Sequence, residues 1–215
     1  GSINLARYVN EGLFDFEKLA HNVRLAVKYL DRVIDINFYP TEQAAVSNKR
    51  WRPVGLGVMG LQDVLFQLRL PFDAPEARTL SRKIQEEVYY NALHASAELA
   101  VQHGAHPSFA ETRTAQGALK FDAWGVVPSD KARWDALRRD VKAKGLRNSL
   151  LIAIAPTATI ASIVGSYEAI EPQVSNLFKR ETLSGEFLQV NRYLVLELKA
   201  LGLWTEEMRQ KIKLA

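Results

Sequence analysis

Hydroxyl and amide groups gather at one turn of this sequence, directly after an apolar run. Residues 150–155 read Leu-Leu-Ile-Ala-Ile-Ala, a length typical of a strand covered on both faces. Pro156 ends the run and suits the entry of a helix, so we expect a helix to begin at about Thr157 or Ala158. The first four N–H groups of a helix lack an internal partner and lie at the positive end of its dipole. The turn is therefore a candidate anion site for a phosphate or diphosphate.

The side chains of this turn suit the same chemistry. Thr157 and Thr159 bring hydroxyls beside the free amides, and the small Ala158 and Ala161 would let an anion come close. Hydrogen bonds to a charged group contribute roughly 1.5–3 kcal/mol each, so a few amides and two hydroxyls could hold a diphosphate without a lysine. An ordinary capped helix after a core strand has the same spacing, and the spacing alone does not separate the two interpretations.

A second motif lies at Gly55–Gly60, where the glycines have the spacing of a dinucleotide-binding fingerprint. It would make the chain a nicotinamide-dependent oxidoreductase. The fingerprint needs a full strand before it and an acidic residue about twenty positions later at the end of the next strand. Here residues 51–53 read Trp-Arg-Pro, and Asp73 falls in a loop. We favour the interpretation that these glycines permit a helix and a strand to pack closely.

Other polar residues lack the partners that catalysis or metal binding requires. His103 and His106 have no further ligand nearby with usable spacing. The sequence has no cysteine, which excludes disulfides, thiolate metal sites and thiol catalysis. We assign no catalytic residue and no metal ligand to this chain. The other residues considered, for which no acid–base partner or nucleophile motif exists, are Glu168, Glu171, Glu181, Glu186, Ser149 and Ser162.

Helices that alternate with short apolar runs must position the turn, and this alternation favours a parallel α/β arrangement. Tyr89 and Tyr90 fall within a long helix among apolar neighbours, which indicates packing. A basic run at Lys49–Arg52 is expected to be a loop. The stretch 106–128, with Phe109, Phe121 and Trp124 as apolar anchors, and the stretch 171–187 are expected to be irregular. The predicted helices cover residues 15–36, 61–68, 75–103, 129–144, 190–200 and 205–213.

Length and composition limit the classes of protein to which the chain can belong. At 215 residues and 47% hydrophobic content, the chain can build a real core in one large or two small domains. The net charge of +4 arises from 28 basic and 24 acidic residues spread along the chain, which is too diffuse for nucleic-acid binding. No apolar stretch is long enough to cross a bilayer, and no leader opens the chain, so no membrane partner and a cytoplasmic location are expected.

Several strings in the sequence are specific rather than merely compositional: Gly1–Leu5, Ile34–Pro40, Ser47–Arg50, Arg52–Gly57, Gly145–Ala153, Ala155–Thr159, Ile170–Pro172, Leu183–Phe187 and Gly202–Met208. Together they resemble the large, catalytic subunit of class I ribonucleotide reductase. The resemblance runs through essentially all 215 residues in order and leans toward the eukaryote-like branch of that class.

The resemblance implies a ten-stranded α/β barrel with long flanking helices. Residues 1–215 would form a single, incomplete segment of it, about the second half, without the finger loop and the N-terminal half. In that family the proline-threonine-alanine turn holds the substrate diphosphate at a helix N-terminus. The resemblance implies the same role for the residues at the matching positions of this chain, which are Pro156, Thr157, Ala158, Thr159 and Ile160. Many relatives have a hydroxyl residue where this chain has Ile160, so that position would offer only its backbone amide.

The resemblance also implies chemistry that this chain does not carry. The radical-bearing cysteine, its partners and the redox cysteine pair would lie before Gly1, and the radical-relay tyrosines and a cysteine shuttle would lie beyond Ala215. The implied reaction is reduction of a ribonucleotide, expected to be a diphosphate, to the deoxyribonucleotide. The implied partners are the N-terminal remainder of the large subunit and a metal-containing small subunit that generates the radical. In another class of ribonucleotide reductase, adenosylcobalamin would be the radical source instead of the small subunit. This chain itself is expected to bind no cofactor.

The expected function is therefore that of a naturally split or excised part of a reductase, inactive by itself. Half a barrel leaves sheet edges and apolar faces open, so we expect it to need a complementary polypeptide and to form an oligomer. A non-catalytic scaffold or partner-binding protein of the same fold is an alternative from a different class. The dinucleotide-dependent oxidoreductase that uses Gly55–Gly60 is another.

Overall fold

The computed structural model describes residues 1–182 and 185–214 and combines helices with short strands. Leu183 and Ser184, which belong to one of the family-like strings, lie outside the described residues, as does the side chain of Glu181. The helices are α1 (Phe16–Ile36), α2 (Glu42–Trp51), α3 (Leu61–Gln67), α4 (Pro75–His103), α5 (Lys120–Ala123), α6 (Lys131–Lys144), α7 (Ala158–Val164), α8 (Arg192–Ala200) and α9 (Glu206–Leu214). The strands are β1 (Ser2–Asn4), β2 (Val9–Asn10), β3 (Leu13–Phe14), β4 (Gly57–Met59), β5 (Leu177–Thr182) and β6 (Gly185–Val190).

The long helices form where the apolar spacing predicts them, and their ends carry the expected caps. The Asp15 carboxylate accepts the amide of Lys18 at 2.9 Å and so begins α1. Gly104 and Gly145 adopt positive φ directly after α4 and α6, where a residue with a Cβ would be strained. The predictions for α1, α3, α4, α6, α8 and α9 are confirmed to within two residues at each end.

One hydrophobic core lies between α1, α4 and α6. Val23 and Val27 of α1 are fully buried, and α1 packs along α4. Trp134 of α6 is buried against Tyr90 and Tyr89 of α4, with ring centroids 5.2 and 5.7 Å away. The packing role predicted for the two tyrosines is confirmed. This helical layer forms the support on which the extended segments lie.

Three extended segments run parallel beside this layer. β1 pairs with β4, with Ser2 opposite Gly57. The residues just before β4 pair with residues 150–153. The Ala153 amide donates to the Leu56 carbonyl at 3.2 Å, and Ile152 forms a parallel β-bridge with Leu56. A Cβ on Gly57 would lie 2.5 Å from the Ala153 carbonyl oxygen, so the close approach requires glycine. The glycine therefore permits close packing of two extended segments rather than of a helix and a strand.

The strand predicted at 150–155 is confirmed only in part: the segment runs parallel to residues 54–56, but it forms an isolated bridge at Ile152 rather than a regular strand, and its burial differs from the prediction. Leu151 is buried, but Leu150 and Ile154 are 65% and 41% exposed. The segment pairs on one side with residues 54–56, and it lies at an edge of the parallel arrangement in the described part of the chain. Its apolar side chains therefore lack the cover that a central strand would have.

Three other predictions are wrong. The basic run Lys49–Arg52 is largely the last turn of α2, which begins where the Thr41 hydroxyl accepts the Ala44 amide. The stretch 171–187 contains β5 and the start of β6, which form an antiparallel hairpin. The side chains of β6 are mostly exposed, so no alternating apolar pattern marks this strand. Trp124 is exposed rather than an apolar anchor.

The overall architecture is mixed helix and strand. The strands of residues 1–182 and 185–214 form two-stranded sheets, one parallel and two antiparallel, and no closed sheet. Among the same residues, none of the helices combines the length and apolarity that crossing a bilayer requires.

Candidate functional site

The five predicted site residues form one turn between the 150–153 segment and α7. Thr157 is half-buried, and the other four are exposed. Thr157 adopts a left-handed conformation, with φ 58° and ψ 17°, and its carbonyl accepts the Ala161 amide at 2.8 Å. The helix begins at Ala158, as the sequence predicts. The structure thus brings Pro156–Ile160 together at the surface, at the start of a helix.

The donors at this turn differ in what they contact within the described part of the chain. The amides of Thr159 and Ile160 donate to no acceptor among the described residues. The Thr157 hydroxyl oxygen accepts the Ala169 amide at 2.8 Å, so its own proton remains available. Ala161 is fully buried, so the prediction that it lets an anion come close is wrong. Its side chain packs α7 onto the protein instead.

The loop at 166–169 holds Thr157 from the other side. The Tyr167 amide donates to a carboxylate oxygen of Asp63 in α3 at 2.6 Å. The Gly60 amide donates to the Tyr167 carbonyl at 2.9 Å. These contacts tie the loop to the first turn of α3, and the Ala169 amide then reaches Thr157. We call residues 166–169 the clasp loop.

Asp63 is a buried carboxylate with donors on both oxygens. Its other oxygen accepts the Tyr193 hydroxyl at 2.8 Å and the Arg192 guanidinium at 3.1 Å. Burial raises the pKa of Tyr193 to about 12, and the negative charge of Asp63 acts in the same direction. Tyr193 therefore stays a neutral donor. Asp63 joins α3, α8 and the clasp loop.

A second buried polar cluster fixes the start of the segments that lead to the turn. Arg52 has φ 46° and donates to Asp31 at 2.9 Å and to Asp35 at 2.8 Å. The hydrogen bond from Arg52 holds the pKa of Asp35 below its usual value. The Asn148 side-chain amide donates to Asp31 at 2.8 Å and to the Arg52 backbone carbonyl at 3.2 Å, and the Ser96 hydroxyl donates to the Asn148 side-chain oxygen Oδ1 at 2.9 Å. Residues 52 and 148 begin the two paired segments, so this cluster sets their relative position.

Sequence reasoning did not identify Asp63, Arg52 or Asn148 as site-related residues. A signal exists for each: Asp63 interrupts the apolar stretch 61–65, and Asn148 immediately precedes the apolar run. Arg52 stands before a proline at the end of a basic run, which is usually a solvated surface. Their partners are distant in sequence, so the pairing is visible only in the folded chain.

The geometry at Gly55–Gly60 argues against a dinucleotide site. The first two glycines lie within the paired segments, and only Gly60, with φ 77°, precedes a helix. The first turn of α3 is covered by the clasp loop and contains the buried Asp63 carboxylate. A pyrophosphate there would meet a negative charge, so the structure gives this alternative no support.

The remaining candidate residues do not assemble into a site. His106 is buried beside Phe109, and burial lowers its pKa, whereas His103 is exposed at the end of α4. Ser162 donates to the Ala158 carbonyl within α7. The described residues contain no group of three His, Asp or Glu side chains that could hold a metal ion. Glu168 and Ser149 are half-buried, and Glu171 and Glu186 are exposed.

Comparison with known proteins identifies the family. The family model described as "Ribonucleotide reductase, barrel domain" matches residues 1–215. The chain is 46% identical over 212 residues, 98% of its length, to a ribonucleoside-diphosphate reductase large subunit of Caenorhabditis elegans and likewise to one of Danio rerio. It is 45% identical over 199 residues, 93% of its length, to such a subunit of Arabidopsis thaliana.

The matched region is one part of a longer protein in each relative. The chain spans 27% of the length of the Caenorhabditis elegans and Danio rerio relatives and 24% of the Arabidopsis thaliana relative. The family model nevertheless covers this chain from its first to its last residue. The chain therefore belongs to the ribonucleotide reductase family and corresponds to its barrel domain.

Proposed function

We propose that this chain works as part of the large subunit of a ribonucleoside-diphosphate reductase and supplies the turn that binds the substrate diphosphate. The reaction of the whole subunit would be radical reduction of a ribonucleotide to a deoxyribonucleotide. The proposal is supported by 42–46% identity to large subunits of that name. The sequence contains no cysteine, so the reducing thiols would come from another segment.

The observation that carries the binding role is the exposed start of α7. Two amides there, of Thr159 and Ile160, have no acceptor in the described chain, and the Thr159 hydroxyl is exposed beside them. Amides at the beginning of a helix favour a negative charge, because the dipole and the unpaired N–H groups act together. In this proposal Pro156, Thr157 and Ala158 shape the turn, and the donors of Thr159 and Ile160 contact phosphate oxygens.

The proposed partners supply the parts of the enzyme that this chain does not contain. They are the N-terminal remainder of the large subunit, which would carry the cysteines, and a metal-containing small subunit, which would generate the radical. Adenosylcobalamin would replace the latter if the class differs, and this chain would bind no cofactor. The parallel segments would become part of a ten-stranded barrel, about its second half. The assembled enzyme would be an oligomer in the cytoplasm.

Substitution of the turn tests the binding role. In the complete large subunit, Thr159→Ala removes an exposed hydroxyl that has no acceptor in the described chain, and Thr157→Ala removes the hydroxyl that meets the clasp loop. We expect each to weaken ribonucleoside-diphosphate binding in a calorimetric titration by about tenfold. Thr159→Ala loses a hydrogen bond to the charged phosphate, and Thr157→Ala loses the contact with the Ala169 amide that holds the shape of the turn. Ser162→Ala is the control, because its hydroxyl bonds within α7. Unchanged affinity in both threonine variants would refute the proposed role.

Co-purification separates this proposal from a non-catalytic scaffold. We expect the chain to associate with the segment that carries the cysteines, and the pair, with the radical-generating subunit, to reduce ribonucleoside diphosphates. A stable complex that binds no ribonucleotide would support the scaffold instead.

A further inference from the structure

Asp63 is the most connected buried carboxylate near the turn. It is 4% exposed and receives donors from α8 on one oxygen and from the Tyr167 amide on the other. Because Arg192 and Tyr193 occupy one oxygen, the second faces the clasp loop in a fixed direction. The 2.6 Å contact with the Tyr167 amide is short, as expected for a hydrogen bond to a charged acceptor.

The clasp loop and the turn share an uncommon backbone conformation. Thr157 and Ala169 have φ values of 58° and 36°, which residues with a Cβ rarely adopt. The Ala169 amide donates to the Thr157 hydroxyl, so each strained residue is bonded to the other. Such conformations persist where the surroundings hold them. Here the clasp loop is held by Asp63 and by the α3 amides of Gly60 and Leu61.

We infer that Asp63 is a positioning residue for the substrate diphosphate. Through the clasp loop, Asp63 holds Thr157 in the left-handed conformation that precedes α7, and this conformation presents the first amides of α7 to the diphosphate. This inference rests on the proposed function of the turn. The connection consists of two hydrogen bonds joined by the backbone of the clasp loop: the Tyr167 amide donates to Asp63, and the Ala169 amide donates to Thr157. Asp63 itself touches no substrate in this scheme.

The charge and shape of Asp63 both matter for this role. A carboxylate can accept on both oxygens, whereas an asparagine has one acceptor oxygen and one donor nitrogen. Asp63→Asn therefore places a donor against either the Tyr167 amide or the Arg192–Tyr193 pair. The clasp loop should loosen, and Thr157 should lose its fixed conformation, although the side-chain volume is kept.

Steady-state kinetics of the complete large subunit test the inference. We expect Asp63→Asn to raise the KM for a ribonucleoside diphosphate about five- to tenfold and to change kcat little, since binding but not the chemical step is affected. A merely structural role would lower the fraction of folded enzyme, and hence kcat, without raising KM. Tyr193→Phe is the matched control, because it removes one donor from Asp63 and leaves the Tyr167 contact; its KM should stay near that of the wild type.

Amide hydrogen exchange provides a readout independent of activity. Exchange at Tyr167 and Ala169 should become about tenfold faster in Asp63→Asn and stay unchanged in Tyr193→Phe. If Asp63→Asn does not fold, Asp63→Glu keeps the charge but displaces it by one methylene, and it should raise KM to a lesser degree. Normal KM and normal exchange in the folded variants would overturn the inference. If Thr157→Ala and Thr159→Ala both leave diphosphate binding unchanged as well, the proposed function fails; if only the Asp63 variants behave as wild type, the positioning role alone fails.

Discussion

Two arginines two positions apart show how differently the same residue type acts in this chain. Arg50 lies at the surface, with its side chain 52% exposed and paired to Glu111. Arg52 is 4% exposed and donates to two aspartates and to the Asp31 carbonyl. A buried guanidinium that uses several donors in fixed directions cannot be replaced by the single ammonium of lysine.

We therefore predict unequal effects of the same substitution at these two positions. Arg52→Lys should lower the free energy of unfolding by about 3 kcal/mol, because a buried pair is broken and carboxylates lose their donors. Arg50→Lys, as the matched control, should cost less than about 1 kcal/mol, as exposed ion pairs do. Urea unfolding of the three proteins measures both values. Equal effects would show that the Arg52 cluster does not stabilise the fold.

At the scale of elements, α4 and α6 are joined by an ion pair at the margin of the core. Arg133 of α6 donates to both oxygens of Glu87 in α4, one of them at 2.9 Å, and lies over the Tyr90 ring. The hydrogen bonds from Arg133 hold the pKa of Glu87 below its usual 4.5, although burial acts in the opposite direction. The pair therefore stabilises the packing of these two helices while Glu87 is ionised.

The lowered pKa sets a direction for the pH dependence of stability. The contribution of Glu87 is complete above its unfolded pKa, and it is lost as pH falls through the lower folded value. We expect Glu87→Gln to lower the free energy of unfolding at pH 7 by about 1–3 kcal/mol and to flatten its decline between about pH 5 and pH 3. Urea midpoints measured across this range test it. Glu11→Gln, at an exposed turn, is the control, and its free energy of unfolding should fall with pH as steeply as that of the wild type. A free energy of unfolding of Glu87→Gln that falls in parallel with that of the wild type would contradict the prediction.

In the molecule as a whole, several apolar side chains lie at the surface, two of them on the segments that flank the candidate turn. Leu150, Ile163 and Val174 are 65%, 77% and 92% exposed. Among the described residues, β1 and the 150–153 segment lie at the two edges of the parallel arrangement, and each pairs on one side. Both features suit a surface that is covered when the chain forms part of a larger barrel.

We predict that the chain by itself binds a hydrophobic dye and associates with itself as its concentration rises. The double substitution Ile163→Thr and Val174→Thr should reduce dye fluorescence by about twofold, because two large exposed apolar side chains gain a hydroxyl. Val101→Thr, an exposed valine on α4, is the control and should have little effect. Dye fluorescence and light scattering measure the outcome. A monodisperse chain that binds no dye would contradict the idea that this face needs a partner.

Local signals in the sequence predict most of the longer helices and the position of the turn. Apolar spacing, Asp15 as a cap and the glycines after α4 and α6 are local signals, so the helix bounds follow from residues close in sequence. Pro156 likewise marks where α7 begins. The hairpin of β5 and β6 escaped detection because β6, whose side chains are mostly exposed, carries no alternating apolar pattern.

The contacts that hold the turn in place are tertiary contacts, which the sequence does not reveal. Asp63 and Tyr167 are 104 positions apart, and Asp31 and Asn148 are 117 apart, so no local pattern links them. The burial of Ala161 and the exposure of Leu150 likewise depend on which segments pack beside them. A hydrogen bond between buried polar groups becomes favourable only after the core has excluded water from both partners, and that exclusion is a property of the assembled fold.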